Sequence, residues 1–560
     1  MPQVDFTRYY RYEELSDTLK QFAEEYPQLA SLSSIGTSHD GRDIWLMTIT
    51  NNATGPADEK PAAWLDGNIH ATEVTGAMGA LHLIQRLLTG YGQDEAVTRL
   101  LDARAFYVVP RVNPDGAEQY LTSPYYLRSG TRRYPYSDDR DGLYPEDIDG
   151  DGRIVQMRVP DPDGAWKVSS NDPRLMVRRG PDEETGQFYR LYTEGRIRNY
   201  DGYQVTIAPP RQGLDFNRSF PYIWAPEGEE RGAGPYPLSE PETRALVHFI
   251  TAHPNISGAI SYHTYSGAIL RPFSDKSDDA MNYDDLRMYK DLGKRGTELT
   301  GYPTVSVYHG FRYNPRGAMH GAFDDWAYDV QGIFAFTVEL WDMIGEAGIK
   351  DREFIEWMRD HPEEDDLKLL AWNDQHLEGK GFINWRPFDH PELGPVEIGG
   401  WIERETFGNP PPQFLLPTLE PNTEFVMALA RCSPRLELRE FSATPLGDGL
   451  FRVRAVLVNS GYLPTYGSRR AQERRAVRPI EVRLELPEGA ELQSGERLQE
   501  IGHLEGRANK RGLFSSNFPT DHLRKLEWVV RAPASTELRL VANGSRAGTA
   551  RGAVKLGVGE

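Results

Sequence analysis

The sequence predicts an α/β layer on a mostly parallel sheet, followed by a separate all-β unit. Helix-period and strand-like segments alternate up to about residue 110 and again from about 240 to 340, the pattern of a sheet covered by helices. After Cys432-Ser433-Pro434 the chain changes to short strands set between Gly, Asn and Pro turns. Its 560 residues also exceed what one hydrophobic core holds.

Residues 11–30 space Leu15, Leu19, Phe22 and Leu29 near the helical period, which predicts an amphipathic helix. Residues 43–50 and 62–69, rich in Trp, Ile and Leu and bounded by Gly and Pro, read as strands, residues 73–88 as a helix and 103–109 as a strand. The alternation resumes with helices at 241–252, 283–299 and 322–329 and strands at 257–262, 304–308 and 333–340. Residues 121–236, dense in Gly, Pro, Asp, Arg and Tyr, show little periodicity, and so long an irregular segment calls for a function or a metal brace. A second loop-rich stretch, 376–417, leads to a last helix at 420–430. Residues 436–440, 450–458, 480–486, 526–530 and 537–542 then read as strands of a sandwich. The expected division is an α/β domain over residues 1–430 and a β-sandwich over 434–560.

The net charge is −20. That balance argues against nucleic acid and anionic membranes as partners. A single cysteine, Cys432, excludes an intrachain disulfide and a cysteine-based zinc site. The start Met1-Pro2-Gln3-Val4-Asp5-Phe6 has no basic or apolar leader character and no later run reaches membrane-spanning length. The expectation is a soluble chain, cytoplasmic as it stands and secreted if a leader has been removed.

The chemistry begins where the strand 62–69 ends on His70, with Glu73 three residues on. An imidazole and a carboxylate on one turn can share a Zn²⁺, and a third ligand leaves the fourth position open for water. His263 closes the strand Gly258-Ala259-Ile260-Ser261-Tyr262 and supplies that third ligand. Phe334-Ala335-Phe336-Thr337-Val338-Glu339 ends a buried strand on an acid, which needs a partner or a task. The task available to Glu339 is general base, taking the proton of the attacking water and delivering it to the leaving amine. In Asp215-Phe216-Asn217-Arg218, a guanidinium fork beside an amide makes a carboxylate receptor.

These motifs, with the Asn113-Pro114-Asp115-Gly116 turn, resemble the zinc metallocarboxypeptidases related to pancreatic carboxypeptidases A and B, in order through residues 10–345. The resemblance implies a mixed eight-stranded sheet flanked by helices. It also implies zinc on His70, Glu73 and His263, Glu339 as base, and Asn217 with Arg218 on the substrate's terminal carboxylate. The family's oxyanion-stabilising arginine lies upstream of the Asn-Arg pair. Arg158 is the candidate here, with Arg132, Arg133 and Arg140 as competitors.

Two positions depart from the pattern. The family's spacing for the substrate-capping tyrosine lands on Gly317, so Tyr313 or Tyr308 would serve only if the loop has shifted. The residue before Asp325-Trp326 lines the pocket for the terminal side chain and is Asp324. An acid there selects Lys, Arg or an amino-bearing residue such as diaminopimelate; the alternative is a helix N-terminal Asp facing solvent.

Asp147-Ile148-Asp149-Gly150-Asp151-Gly152 resembles the first half of a calcium loop, with oxygen ligands at alternate positions and Gly at the turn. Position twelve is Arg158, not a bidentate Glu, so a Ca²⁺ on Asp147, Asp149 and Asp151 would need Asp161 or Asp163 as well. The sequence thus reads as a zinc metallocarboxypeptidase acting on peptides with a free C-terminal carboxylate. Its rivals are a cell-wall peptidase cutting γ-D-glutamyl-diaminopimelate bonds, or a related amidase or deacylase, and a non-catalytic module that binds C-termini.

Overall fold

The structure, a computed structural model, describes residues 3–314, 317–509 and 520–557. The first strands are β1 (Ala30–Thr37), β2 (Asp43–Ile49), β3 (Ala62–Gly67) and β4 (Ala105–Val109). They join an eight-stranded sheet in the order β1, β2, β4, β3, Ile256–Thr264, Phe334–Leu340, Ala268–Arg271, Thr304–Ser306. β4, β3, Ile256–Thr264 and Phe334–Leu340 run parallel, while β1 and β2 are antiparallel to their neighbours and Ala268–Arg271 opposes Phe334–Leu340. The sheet is mixed, as the family resemblance implies.

Every residue of β3 is buried, because both faces are covered. Ala63 and Leu65 pack into one core, Ala62 and Trp64 into the core on the other face. Helix α1 (Tyr12–Glu25), helix α2 (Thr75–Gly90) and the helix Pro412–Cys432 contribute to the first. Leu81, Ile84 and Leu87 of α2 are fully buried there, where truncation to alanine costs about 2–5 kcal/mol. A Cβ on Gly67 would lie 2.6 Å from the backbone of Gly76, so these two glycines let the end of β3 abut the first turn of α2.

Several boundaries differ from the sequence reading. The helix expected over 11–30 stops at Glu25, and Ala30 begins β1, whose Ser-rich sequence hid it. The last helix runs Pro412–Cys432, through Pro417 and Pro421, which masked its first turns. The two loop-rich stretches turn out to be one construction. Gln156–Pro160, Trp166–Val168, Met176–Arg178 and Tyr189–Thr193 pair with the hairpin Phe382–His390 and Gly394–Trp401 into a six-stranded sheet. It has its own small core around Met157, Ile197, Val396 and Ile398, which packs the segment together.

Beyond residue 435 two four-stranded sheets share a core that includes Val453, Leu457, Val482, Trp528 and Leu540. This unit is tied to the α/β layer. Asp285 accepts from the backbone N–H groups of Arg469 and Arg470 at 2.7 and 3.0 Å, and Arg470 and Arg474 both pair with the buried Asp329. The buried Arg546 donates to the carbonyl of Gly332 at 2.6 Å. Among the described residues no helix is long and apolar enough to cross a membrane.

Candidate metal centre and substrate groove

The parallel strands β3, Ile256–Thr264 and Phe334–Leu340 end on the same edge of the sheet, where ligands of α/β folds gather. After β3 the chain turns through Asn68, whose φ of 59° is unusual for a residue other than glycine. The turn is held by its own amide: Asn68 Nδ2 donates to the carbonyl of His70 at 2.6 Å, and Arg111 Nε donates to Asn68 Oδ1 at 3.0 Å. Asn409 secures the far side, accepting from Thr75 N at 3.2 Å and donating to the carbonyl of Thr72 at 2.8 Å.

This turn brings His70 and Glu73 to His263, all three buried, with ligand atoms within 4.8 Å of one another. His70 Nδ1 is 2.8 Å from Glu73 Oε1, His263 Nδ1 is 3.0 Å from Glu73 Oε2, and the two Nδ1 atoms are 3.1 Å apart. The outer nitrogens are engaged elsewhere. His70 Nε2 donates to Asp215 Oδ1 at 3.1 Å, and His263 Nε2 lies 3.3 Å from Ser261 Oγ, which donates to the buried Asp66 at 2.6 Å. With the proton on Nε2, each Nδ1 presents a lone pair to the Glu73 carboxylate, whose oxygens lie 2.8 and 3.0 Å away. Acceptors converging on one point are stable only around a cation, so the donor set fits Zn²⁺, with the outer contacts fixing tautomer and ring orientation.

Glu73 is held well below the usual carboxylate range: burial opposes its charge, but His70 and His263 outweigh that. Asp215 is held far down in the same way, with Arg128, Arg218 and His70 overcoming burial. Glu339 is driven the other way, well up, by burial and then by Glu73, against the pull of Arg128.

The arginine at this centre is Arg128, not Arg158. Arg128 Nη1 donates to Glu73 Oε1 and its Nε to Asp215 Oδ2, both at 3.1 Å, and its backbone carbonyl accepts from Ala71 N at 2.9 Å. Arg158 is used in the six-stranded sheet, where it donates to Glu397 at 2.8 Å and stacks on Trp385 and Tyr189. The competitors are occupied too: Arg132 pairs with Glu240, Arg133 with Asp139, and Arg140 lies over Tyr136. Nothing in the local sequence sets Arg128 apart, since the Ala71 contact that places it spans a long stretch of chain. Asp215 was legible as part of a motif, but its grip on His70 was not.

Asn217 and Arg218 lie on the single turn Phe216–Arg218, capped by Asp215 Oδ1 accepting from Asn217 N at 2.9 Å. Phe323 N donates to Asn217 Oδ1 at 2.8 Å, which leaves the Asn217 Nδ2 protons as donors beside the guanidinium. Asp324 is only 3% exposed, which overturns the solvent-facing alternative. Its pKa is pushed up to about 6, chiefly by burial, with Arg218 among the groups opposing. Tyr313, 53% exposed, lies within reach of the charges of Arg128, Glu339, Arg218 and Asp215. Tyr308 instead carries Arg312 over its ring. A cavity of about 600 Å³ opens beside the triad, lined by Arg128, Asp215, Tyr125, Tyr126, Tyr144 and Arg211 among others.

The structure brings a carboxylate oxygen from each of Asp147, Asp149 and Asp151 within 4.8 Å of one another. Asp147 accepts from Gly150 N and Gly152 N at 2.7 and 2.8 Å, and Arg386 pairs with Asp149 and with Asp151, the latter at 2.6 Å. Asp161, which was to complete a calcium shell, pairs with Arg190.

A mixed sheet with a His₂Glu centre at the carboxyl ends of its parallel strands defines a metallohydrolase of the carboxypeptidase type. A sequence model of the zinc carboxypeptidase family matches residues 15–347, and the chain belongs to that family of metallopeptidases. A second model, described as a domain of unknown function, matches residues 435–555. Carboxypeptidase B of Astacus astacus is 25% identical over 356 residues, 60% of this chain and 88% of that protein. Carboxypeptidase A2 of Mus musculus is 25% identical over 344 residues, covering 60% of this chain and 64% of the relative. Among solved structures, thrombin-activatable fibrinolysis inhibitor aligns over 76% of this chain and 74% of its own, at 18% identity and a TM-score of 0.45. The carboxypeptidase A of Helicoverpa armigera aligns over 60% and 66%, at 17% identity and a TM-score of 0.41.

Proposed function

We propose that the chain is a zinc-dependent carboxypeptidase that hydrolyses the last peptide bond of peptides with a free C-terminal carboxylate, preferring basic terminal residues. The observation that carries the reading is the donor pair made by Asn217 Nδ2 and the Arg218 guanidinium, both residues buried and joined to His70 through Asp215. Such a pair suits a carboxylate and leaves a neutral amide end poorly bound. His70, Glu73 and His263 hold the metal, which when bound supplies a Lewis acid that acidifies water and polarises the scissile carbonyl. Glu339 takes the proton of the attacking water and hands it to the leaving amine. Arg128, held by Asp215, steadies the developing oxyanion in the role first given to Arg158. Tyr313 closes over the bound terminus.

Asp324 supports the preference for Lys or Arg. It equally suits diaminopimelate, which keeps a cell-wall peptidase as the second reading; a panel of Lys, Arg, Leu and Phe C-termini against muropeptides separates the two. A non-catalytic C-terminus binder would have no need of the complete set His70, Glu73, His263 and Glu339. We take residues 1–430 as the catalytic unit and 434–560 as an accessory β-unit. The deciding experiment is a peptide-library digest read by mass spectrometry together with metal analysis. Single-residue release from free C-termini by a protein carrying one zinc is expected; endo-cleavage, or full activity without zinc, defeats the proposal.

A further inference from the structure

The carboxylate anchor has a buttress of its own. Arg218 Nη1 donates to its neighbour's carbonyl, that of Asn217, at 2.7 Å, and its Nε lies 3.3 Å from Glu230 Oε1. The other oxygen of Glu230 accepts from both His320 N and His320 Nδ1, each at 3.0 Å. A carboxylate beside a carboxylate receptor weakens its pull on substrate, so its presence calls for a reason.

The surrounding backbone gives one, because Glu230 is delivered by a built turn. Glu229 N and Glu230 N both donate to the carbonyl of Pro226, and Ala233, fully buried, donates back to Glu230 O. Gly232, at a φ of +85°, carries the carbonyl that accepts from Asp215 N at 2.9 Å, and Asp215 in turn holds His70 and Arg128. From the other side, His320 leads into Gly321, where a Cβ would lie 2.2 Å from the carbonyl oxygen of Arg218. Phe220 N donates to Gly321 O, and Phe323 N holds the Asn217 amide. Two chain segments thus close on Arg218, and Glu230 is where their side chains meet it.

We propose that Glu230 is a positioning residue for substrate binding. It holds the Nε edge of Arg218, His320 holds Glu230, and with Nη1 on the Asn217 carbonyl the guanidinium is held in one orientation. A guanidinium ordered in advance loses less freedom when the substrate carboxylate arrives. The two donors from His320 draw charge from Glu230 and so limit its competition with substrate. This inference rests on Asn217 and Arg218 being the carboxylate anchor.

The test uses full-length, zinc-loaded protein and two substrates, a peptide ending in a free carboxylate and its C-terminal amide. Glu230→Ala is expected to raise KM for the free peptide about tenfold to a hundredfold, with kcat within about twofold and zinc content unchanged. Hydrolysis of the amide should not change. His320→Ala should shift KM the same way and His320→Asn should restore it, because the asparagine amide can donate to Glu230 in place of Nδ1. Losses of zinc, melting temperature and kcat together would mark a merely structural role and overturn the proposal. If Arg218→Ala raises KM and Glu230→Ala does not, the positioning role alone falls. If Arg218→Ala leaves KM unchanged, the anchor reading falls and this one with it.

Discussion

Glu339 stands in register with His263 across two adjacent parallel strands, so both side chains leave the same face of the sheet at the same edge. A metal ligand and a carboxylate are thereby fixed as neighbours by backbone hydrogen bonds rather than by a loop. If Glu339 is the base, Glu339→Gln should lower kcat by about 10²–10⁴-fold while the protein keeps its zinc. The pairing of turnover with metal content is the check, and an active, zinc-replete glutamine variant would mean another group takes the proton.

Arg128 and Arg158 make opposite predictions. Arg128 touches Glu73 and Asp215, so Arg128→Ala should reduce kcat by about 10²–10³-fold, the usual scale for a lost oxyanion donor. Arg158 is bound to Glu397 and stacked on two rings, so Arg158→Ala should leave kcat nearly unchanged and cost about 1–2 kcal/mol of stability. Steady-state kinetics and thermal melts on both variants decide it, and the reverse pattern would return the role to Arg158.

How far the sequence could be read follows from how local each feature is. His70, Glu73, His263 and Glu339 each end a buried apolar run or follow one by a single turn, so strand and ligand are written in the same few residues. Arg128 reaches the triad only because Ala71 N holds its carbonyl, and no periodicity records that contact. The six-stranded sheet escaped notice for a related reason. Its strands are three to nine residues long, and the hairpin 382–401 that completes it lies far along the chain from Gln156–Pro160. β1 was lost because Ala30-Ser31-Leu32-Ser33-Ser34 carries almost no apolar alternation. Burial, the feature that changes the meaning of Asp324, is a property of what packs over it.

Asp324 links specificity to pH. Burial pushes its pKa up to about 6, so it is largely neutral below that pH and anionic above it. A cationic terminal side chain is favoured only by the ionised form. The ratio of kcat/KM for Lys over Leu termini should therefore climb as pH rises from about 5 to 7.5, and using the ratio cancels the titration of Glu339 common to both substrates. Asp324→Asn should flatten that ratio near unity. A wild-type ratio that does not move with pH, or a variant that keeps the preference, would remove Asp324 from the specificity pocket.

Glu242 sets a pH dependence of stability away from the active site. It lies in the first turn of the helix Pro241–Ala252, fully buried, with Oε1 accepting from His39 N at 2.9 Å and Oε2 without a hydrogen-bond partner among the described residues. Burial pushes its pKa up to about 7, and Asp115 and Glu240 add to the shift. The folded value lies above the unfolded one, so the stability linked to this group is whole below about pH 4.5 and is lost as pH rises through about 7. A shift of that size corresponds to at most about 3 kcal/mol. Glu242→Gln keeps the acceptor for His39 and removes the charge, so it should raise the melting temperature at pH 8 and change it little at pH 4.5. Calorimetry at the two pH values is the measurement. An equal effect at both would show that Glu242 does not change protonation on unfolding.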